Sequence, residues 1–246
     1  MSHRDEYRQW PFLTLDEFEL ACAFFDQRYM KAELGPSRRT FKLRLRRTAT
    51  TGTCCIEILR LLSPAEEDGD LTSQLDKLWS SGMNAAPTSN GDTEMSQEED
   101  DEEALRPDVK VDGSDGGYPP QYTTYSHQAY VTYEIHLHPT YSVPVLWFTL
   151  HDLPMGEPTF DLNSVFRHLV PDQYKDLLRA TGITGGLSAA PHPVTDVPAF
   201  FIHPCQTKEA MENFNCPLQD YLMTWVGLTG GCVGLWVPHE MAAVMN

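Results

Sequence analysis

Ala129-Tyr-Val-Thr-Tyr-Glu-Ile-His-Leu137 and Val143-Pro-Val-Leu-Trp-Phe-Thr-Leu150 lie on either side of a short turn at His138-Pro139. The first run alternates with β-branched and aromatic residues, the pattern of a strand with two different faces, and the second follows across the turn. A connection this short joins neighbours that run in opposite directions, whereas parallel strands need a long crossover. The stretch therefore predicts an antiparallel hairpin. Pro144 has no N–H to give to a ladder, which places it near the start of its strand or on an edge.

Upstream, Phe41, Leu43 and Leu45 alternate with Lys42, Arg44 and Arg46, and Cys54-Cys-Ile-Glu-Ile-Leu59 reads as the returning strand. The basic row has three readings: a plain solvated face, a loose partner of an acidic loop, or a contact for an acidic partner. Further upstream, Thr14-Leu-Asp-Glu17 matches a capping box. Leu15, Phe18, Cys22, Phe25 and Tyr29 follow at three- and four-residue steps, so residues 14–30 form an amphipathic helix whose stripe packs on the core.

Downstream, Leu153-Pro-Met-Gly-Glu-Pro158 is a turn, and Asp161 caps a helix through Val165, Phe166 and Leu169. Residues 182–198, rich in Gly, Pro and Thr, read as a loop leading into the short apolar strand Ala199-Phe-Phe-Ile202. His203-Pro204-Cys205 ends that strand, because Pro204 cannot continue a ladder. Thr207 is a good N-cap for a helix over 208–214, and a last helix follows over 218–226. Cys205 thus lies just outside a helix N-terminus, where unsatisfied N–H groups favour the thiolate, the form that attacks carbonyls. The competing reading is a small buried hydrophobe. The order of helix, antiparallel meander of about four strands, long connection and C-terminal helices indicates an α+β fold, with residues 1–246 as one domain.

The chain carries a formal charge of −17, most of it between Ser63 and Tyr118. That segment contains Glu98-Glu-Asp-Asp-Glu-Glu103 and has too little apolar surface to offset its ordering entropy, so 63–118 is expected to be a disordered acidic insertion with a short helix over 71–79. The acidity argues against nucleic acid, which needs a concentrated basic surface. No stretch is long and apolar enough for a membrane span, the N-terminus has no apolar leader, and a cytoplasmic protein is expected. Among six cysteines, Cys54 and Cys55 are adjacent and no Cys-x-x-Cys occurs, so reduced thiols are expected. His127, His136, His138, His151, His168 and His192 show no zinc-ligand spacing, and neither metal nor cofactor is implied.

Tyr141-Ser-Val-Pro-Val-Leu-Trp-Phe148, Gly156-Glu-Pro158, Phe200-Phe-Ile-His-Pro-Cys-Gln-Thr207 and the run from Tyr221 to Leu235 together resemble the autophagy-related protein ten family. The likeness covers roughly residues 128–237. It implies a ubiquitin-conjugating-enzyme-like fold and an enzyme that passes autophagy-related protein twelve to a lysine of autophagy-related protein five. Carried over by position, Cys205 would form the thioester, and Tyr141 and His203 would stand near the acceptor lysine. The helix over 14–30 would meet the activating enzyme, autophagy-related protein seven. Ubiquitin-conjugating enzymes place Asn shortly before the cysteine; no Asn occurs from Ser164 through Pro204, so the oxyanion donor is open among His203, the Thr207 hydroxyl and nearby backbone N–H groups. The alternatives are the sibling enzyme that conjugates a modifier to phosphatidylethanolamine, also similar at His-Pro-Cys, a catalytically silent adaptor of the same fold, and a cysteine hydrolase. Against the hydrolase, His203 two residues away on an extended segment faces away from the thiol, and no nucleophile signature surrounds Cys205.

Overall fold

The computed structural model describes residues 6–48, 52–62, 128–181 and 186–244. The acidic segment 63–118, the helix expected over 71–79 and His127 lie outside the described residues. Helix α1 spans Leu15–Lys31 and α2 Ser37–Thr40, followed by strands β1 (Phe41–Arg47), β2 (Cys54–Leu61), β3 (Tyr130–Leu137) and β4 (Pro144–His151). Then come α3 (Leu162–His168), α4 (Asp172–Thr181), β5 (Leu187–Pro191), β6 (Pro198–Ile202), α5 (Thr207–Glu212), α6 (Tyr221–Thr229) and α7 (His239–Ala243).

The capping box forms as expected. The Thr14 Oγ1 accepts the Glu17 N–H, and Glu17 accepts the Thr14 N–H, which fixes where α1 starts. Phe18, Cys22, Phe25 and Tyr29 are buried, but Leu15 is 46% exposed. It belongs to the first turn of α1, so the buried stripe begins one turn later than its spacing suggests.

The sheet has six strands in the order β1-β2-β3-β4-β6-β5, all neighbours antiparallel. β1 to β4 are the expected meander, and Pro144 opens β4. The extra element is β5: residues 187–191, expected within a loop, form a hairpin with β6. Ser188-Ala-Ala190 has neither branched nor aromatic side chains to signal a strand, and it is ordered by pairing with β6 instead.

Ile56, Ile58, Tyr133, Ile135, Leu146, Phe148 and Leu150 line the face of the sheet that is buried with α1 and with Tyr221, Leu222, Trp225 and Val226 of α6. Burial of each such large side chain contributes about 2 kcal/mol of favourable transfer energy. Buried polar groups tie the ends together: the Tyr133 hydroxyl donates to the Val233 carbonyl at 2.7 Å, and the Tyr221 hydroxyl to the Pro11 carbonyl at 2.7 Å. Arg28 of α1 pairs with Asp220. Gly234 is in the left-handed region at φ 69°, and a Cβ there would meet the Leu169 carbonyl oxygen at 2.7 Å, so the chain reversal after α6 requires glycine.

On the other face, two members of the basic row of β1 are paired within the sheet. Arg44 Nε donates to Glu57 of β2 at 2.8 Å, Arg46 bridges the other oxygen of the same carboxylate, and Arg44 is directly opposite Glu57 in the register. Two guanidinium groups thus share one carboxylate across the strands.

Candidate active site

β6 puts Phe200 into the core, stacked on Phe148 and Phe160, and Phe201 on the outer face against Trp147. The ladder stops at His203, whose N–H donates to the Gly186 carbonyl at 3.1 Å. Pro204 has no N–H to carry it further, and its fixed φ suits the first position of a helical turn. A 3-10 turn over Pro204–Gln206 runs directly into α5. Cys205 therefore lies inside this first turn.

The capping differs from the sequence expectation. His203 caps the turn, its Nδ1 accepting the Cys205 N–H at 3.2 Å, and Thr207 is the buried first residue of α5, where Gln206 holds the cap position without a side-chain bond. Pro204 starts the helical turn four residues earlier than a Thr207 cap would. The histidine ring substitutes for the hydroxyl as acceptor, which keeps its Nδ1 unprotonated and leaves the ring proton on Nε2. Assigned this way, the neutral imidazole presents an Nε2–H donor.

Cys205 is the exposed cysteine; Cys22, Cys54 and Cys55 are buried, and Cys216 and Cys232 half-buried, and all six are thiols. Burial pushes the Cys55 thiol up to about 12 and that of Cys232 up to about 11. Those side chains are poor nucleophiles near neutral pH, which leaves Cys205 as the thiol with both access and a surface position.

Tyr141 is 45% exposed in the β3–β4 turn, and its ring lies edge-on to His203 at a centroid distance of 6.2 Å. The turn is held by His138, whose Nδ1 accepts the N–H groups of Thr140 and Tyr141 at 3.1 and 3.2 Å. Its ring touches Tyr141 at 4.7 Å, and burial together with the nearby His203 holds its pKa below the ordinary histidine value. So the two β-turn ends bring Tyr141, His203 and Cys205 to one edge of the molecule. His138 was the group that sequence reading left out; a side-chain acceptor two and three residues before a pair of turn amides is the signal that marks it.

Two candidate backbone donors are already engaged. The Cys205 N–H goes to His203, and the Thr207 N–H to the Pro204 carbonyl. Two surface cavities, of about 260 and 520 Å³, are lined elsewhere and include none of Cys205, His203 or Tyr141. An exposed thiol is open to the tail of a large acyl donor.

The family described as "Autophagocytosis associated protein, active-site domain" matches residues 17–240. The chain is 43% identical to the Ubiquitin-like-conjugating enzyme ATG10 of Gibberella zeae, over 95% of this chain and 97% of that protein.

Proposed function

Since this chain belongs to the ATG10 family of ubiquitin-like-conjugating enzymes, we propose that Cys205 accepts autophagy-related protein twelve as a thioester and delivers it to a lysine of autophagy-related protein five. One observation carries the reading: the exposed thiol sits in the 3-10 turn capped by His203, at the edge that also holds Tyr141.

In the first step the Cys205 thiolate attacks the thioester carbonyl presented by the activating enzyme, autophagy-related protein seven, whose own cysteine leaves as thiolate. Thioester is exchanged for thioester, so the step needs proximity and ionised sulfur more than transition-state machinery. In the second, a neutral lysine amine attacks the new thioester. The tetrahedral intermediate carries its charge on oxygen, the C–S bond breaks, Cys205 regains its thiolate, and the amine loses a proton to solvent.

His203 is the oxyanion donor in this reading, through its Nε2–H, because its Nδ1 is already committed to the Cys205 amide. Buried Thr207 is the second choice. The exposed Tyr141 phenol orients the incoming amine by hydrogen bonding. The solvent side of α1, where Leu20 and Met30 are exposed, is the surface for the activating enzyme. Residues 1–246 act as one conjugating domain in the cytoplasm, and 63–118 is an insertion the chemistry does not need. No helix among the described residues is long and apolar enough to cross a membrane.

The test is to incubate the chain with activating enzyme, ATP and modifier and to run gels with and without reductant. A reductant-sensitive adduct that still forms after deletion of residues 85–116 supports the reading. Wild-type protein that never acquires an adduct would be a silent adaptor.

A further inference from the structure

On the face of the sheet turned away from α1, strands β2 and β3 bring together three side chains that the Cys205 chemistry does not use. The Cys55 Sγ, a Glu134 carboxylate oxygen and a His136 ring nitrogen all lie within 4.8 Å of one another. His136 Nε2 is 2.9 Å from Glu134 Oε2. The tip of the β5–β6 hairpin adds a fourth: His192 Nε2 lies 3.6 Å from the same Oε2. The His192 residue is 6% exposed, and that nitrogen has no hydrogen-bond partner among the described residues. Trp147 closes one side, its ring 5.3 Å from that of His192.

Charge gives the reason for asking what belongs there. Glu134 is directly opposite Glu57 in the register, and like charges so placed oppose pairing. Glu57 is bridged by Arg44 and Arg46, whereas the ion pairs of Glu134 among the described residues are to the two imidazoles, with Arg46 acting on it only at longer range. Once metal displaces the Cys55 proton, a thiolate, a carboxylate and two neutral imidazoles carry two negative charges between them, the complement of one divalent cation. Sulfur and imidazole donors exclude magnesium and calcium and select zinc, which takes four such ligands in a tetrahedron.

From the structure we infer that Cys55, Glu134, His136 and His192 form a zinc site that fastens the β5–β6 hairpin tip to the outer face of the sheet. Tetrahedral bonds to zinc set ligand atoms roughly 3.3–3.7 Å apart. The Glu134–His192 separation already falls in that range. The Glu134–His136 hydrogen bond opens as metal replaces its proton, and Cys55 Sγ and the His192 ring close in on the metal. His192 Nδ1 accepts long contacts at 3.4 Å from the amides of Val194 and Thr195 and lies 3.3 Å from the Thr195 hydroxyl. Loading exchanges the two amide contacts for an Nδ1–H donated to Thr195 Oγ1, which orients the ring and frees the Nε2 lone pair for the metal. The cavity of about 260 Å³ lined by Cys55, Glu134, Val194 and Thr195, with Arg46, Arg47 and Thr48 on its other side, is the entry path. Its consequence is structural: β6, which leads into His203-Pro204-Cys205, would be anchored from its far end.

The full chain carrying Cys205→Ser, so that the exposed thiol contributes nothing, is stripped with chelator and titrated with Co²⁺. The expected result is one equivalent bound with the intense visible bands of tetrahedral cobalt and a thiolate-to-cobalt charge-transfer band, both abolished by Zn²⁺. Cys55→Ser should erase the charge-transfer band. His192→Ala, a change at a hairpin tip that spares the core if Cys55→Ser proves unstable, should weaken Co²⁺ binding by more than about 100-fold, since even outer-shell losses reach that size. No tetrahedral band in the Cys205→Ser protein, an unchanged band in Cys55→Ser, or unchanged affinity in His192→Ala would each overturn the site.

Discussion

The imidazole of His203 and the amide of Cys205 are locked together, Nδ1 accepting the N–H at 3.2 Å. One contact shapes the turn that presents the sulfur, fixes the tautomer of the ring and occupies the amide nearest the thiol. His203→Ala should therefore leave uptake of the modifier nearly intact and slow its transfer to lysine by about 10²–10³-fold, the usual cost of one oxyanion donor. Single-turnover discharge after charging measures this. Equal slowing of both steps would reassign His203 to shaping the turn, and a defect confined to Thr207→Val would move the donor role there.

Tyr141 meets His203 through its ring and is 45% exposed to solvent. Tyr141→Phe keeps the ring contact and removes one hydrogen bond, so discharge should slow about tenfold at low acceptor concentration. Tyr141→Phe indistinguishable from wild type, with Tyr141→Ala impaired, would show that only the packing counts.

Gly234 combines φ 69° with a Leu169 carbonyl oxygen 2.7 Å from any added Cβ. Gly234→Ala should cost about 2–3 kcal/mol, read as a lowered urea midpoint. A midpoint within error of wild type would mean the backbone relaxes around the methyl group.

Glu157, in the Gly156-Glu-Pro turn, accepts from His168 Nε2 at 2.8 Å, Ser164 Oγ at 2.9 Å and Arg167 Nη1 at 2.8 Å. The His168 bond, with Ser164 and Arg167 behind it, holds its carboxyl below the ordinary glutamate value. A depressed folded pKa means the stabilisation is complete above the unfolded value of about 4.3 and is lost as pH falls through the lower folded value. Urea midpoints recorded from pH 6 downward should fall less steeply for Glu157→Gln than for wild type over that acid range. Parallel curves would remove Glu157 from the acid transition.

The elements legible in the sequence were those with a strong local period or a local cap. The Ala129–Leu137 run alternates and is joined to the next strand by a short turn, and Thr14 with Glu17 writes the start of α1 within four residues. β5 was hidden because Ser188-Ala-Ala190 is ordered by a neighbour rather than by its own pattern. In the site, Cys205, His203 and Tyr141 could be found from their motifs, but the switch of capping role from Thr207 to His203 depends on where Pro204 starts the turn, a geometric fact with no composition signal. His138 escaped for a similar reason, since its role is a hydrogen bond to backbone. The Cys55, Glu134, His136 and His192 grouping is built by register across three elements, so no spacing along the chain could disclose it.

The most direct measurement is the intact mass of Cys205→Ser after incubation with activating enzyme, modifier and ATP. The account predicts a mass increase of one modifier less water that persists under reductant, as an oxyester at residue 205 must, while the wild-type adduct is released by reductant. An adduct on the serine variant that reductant removes, or a wild-type thioester mapped by peptide sequencing to another cysteine, would contradict it.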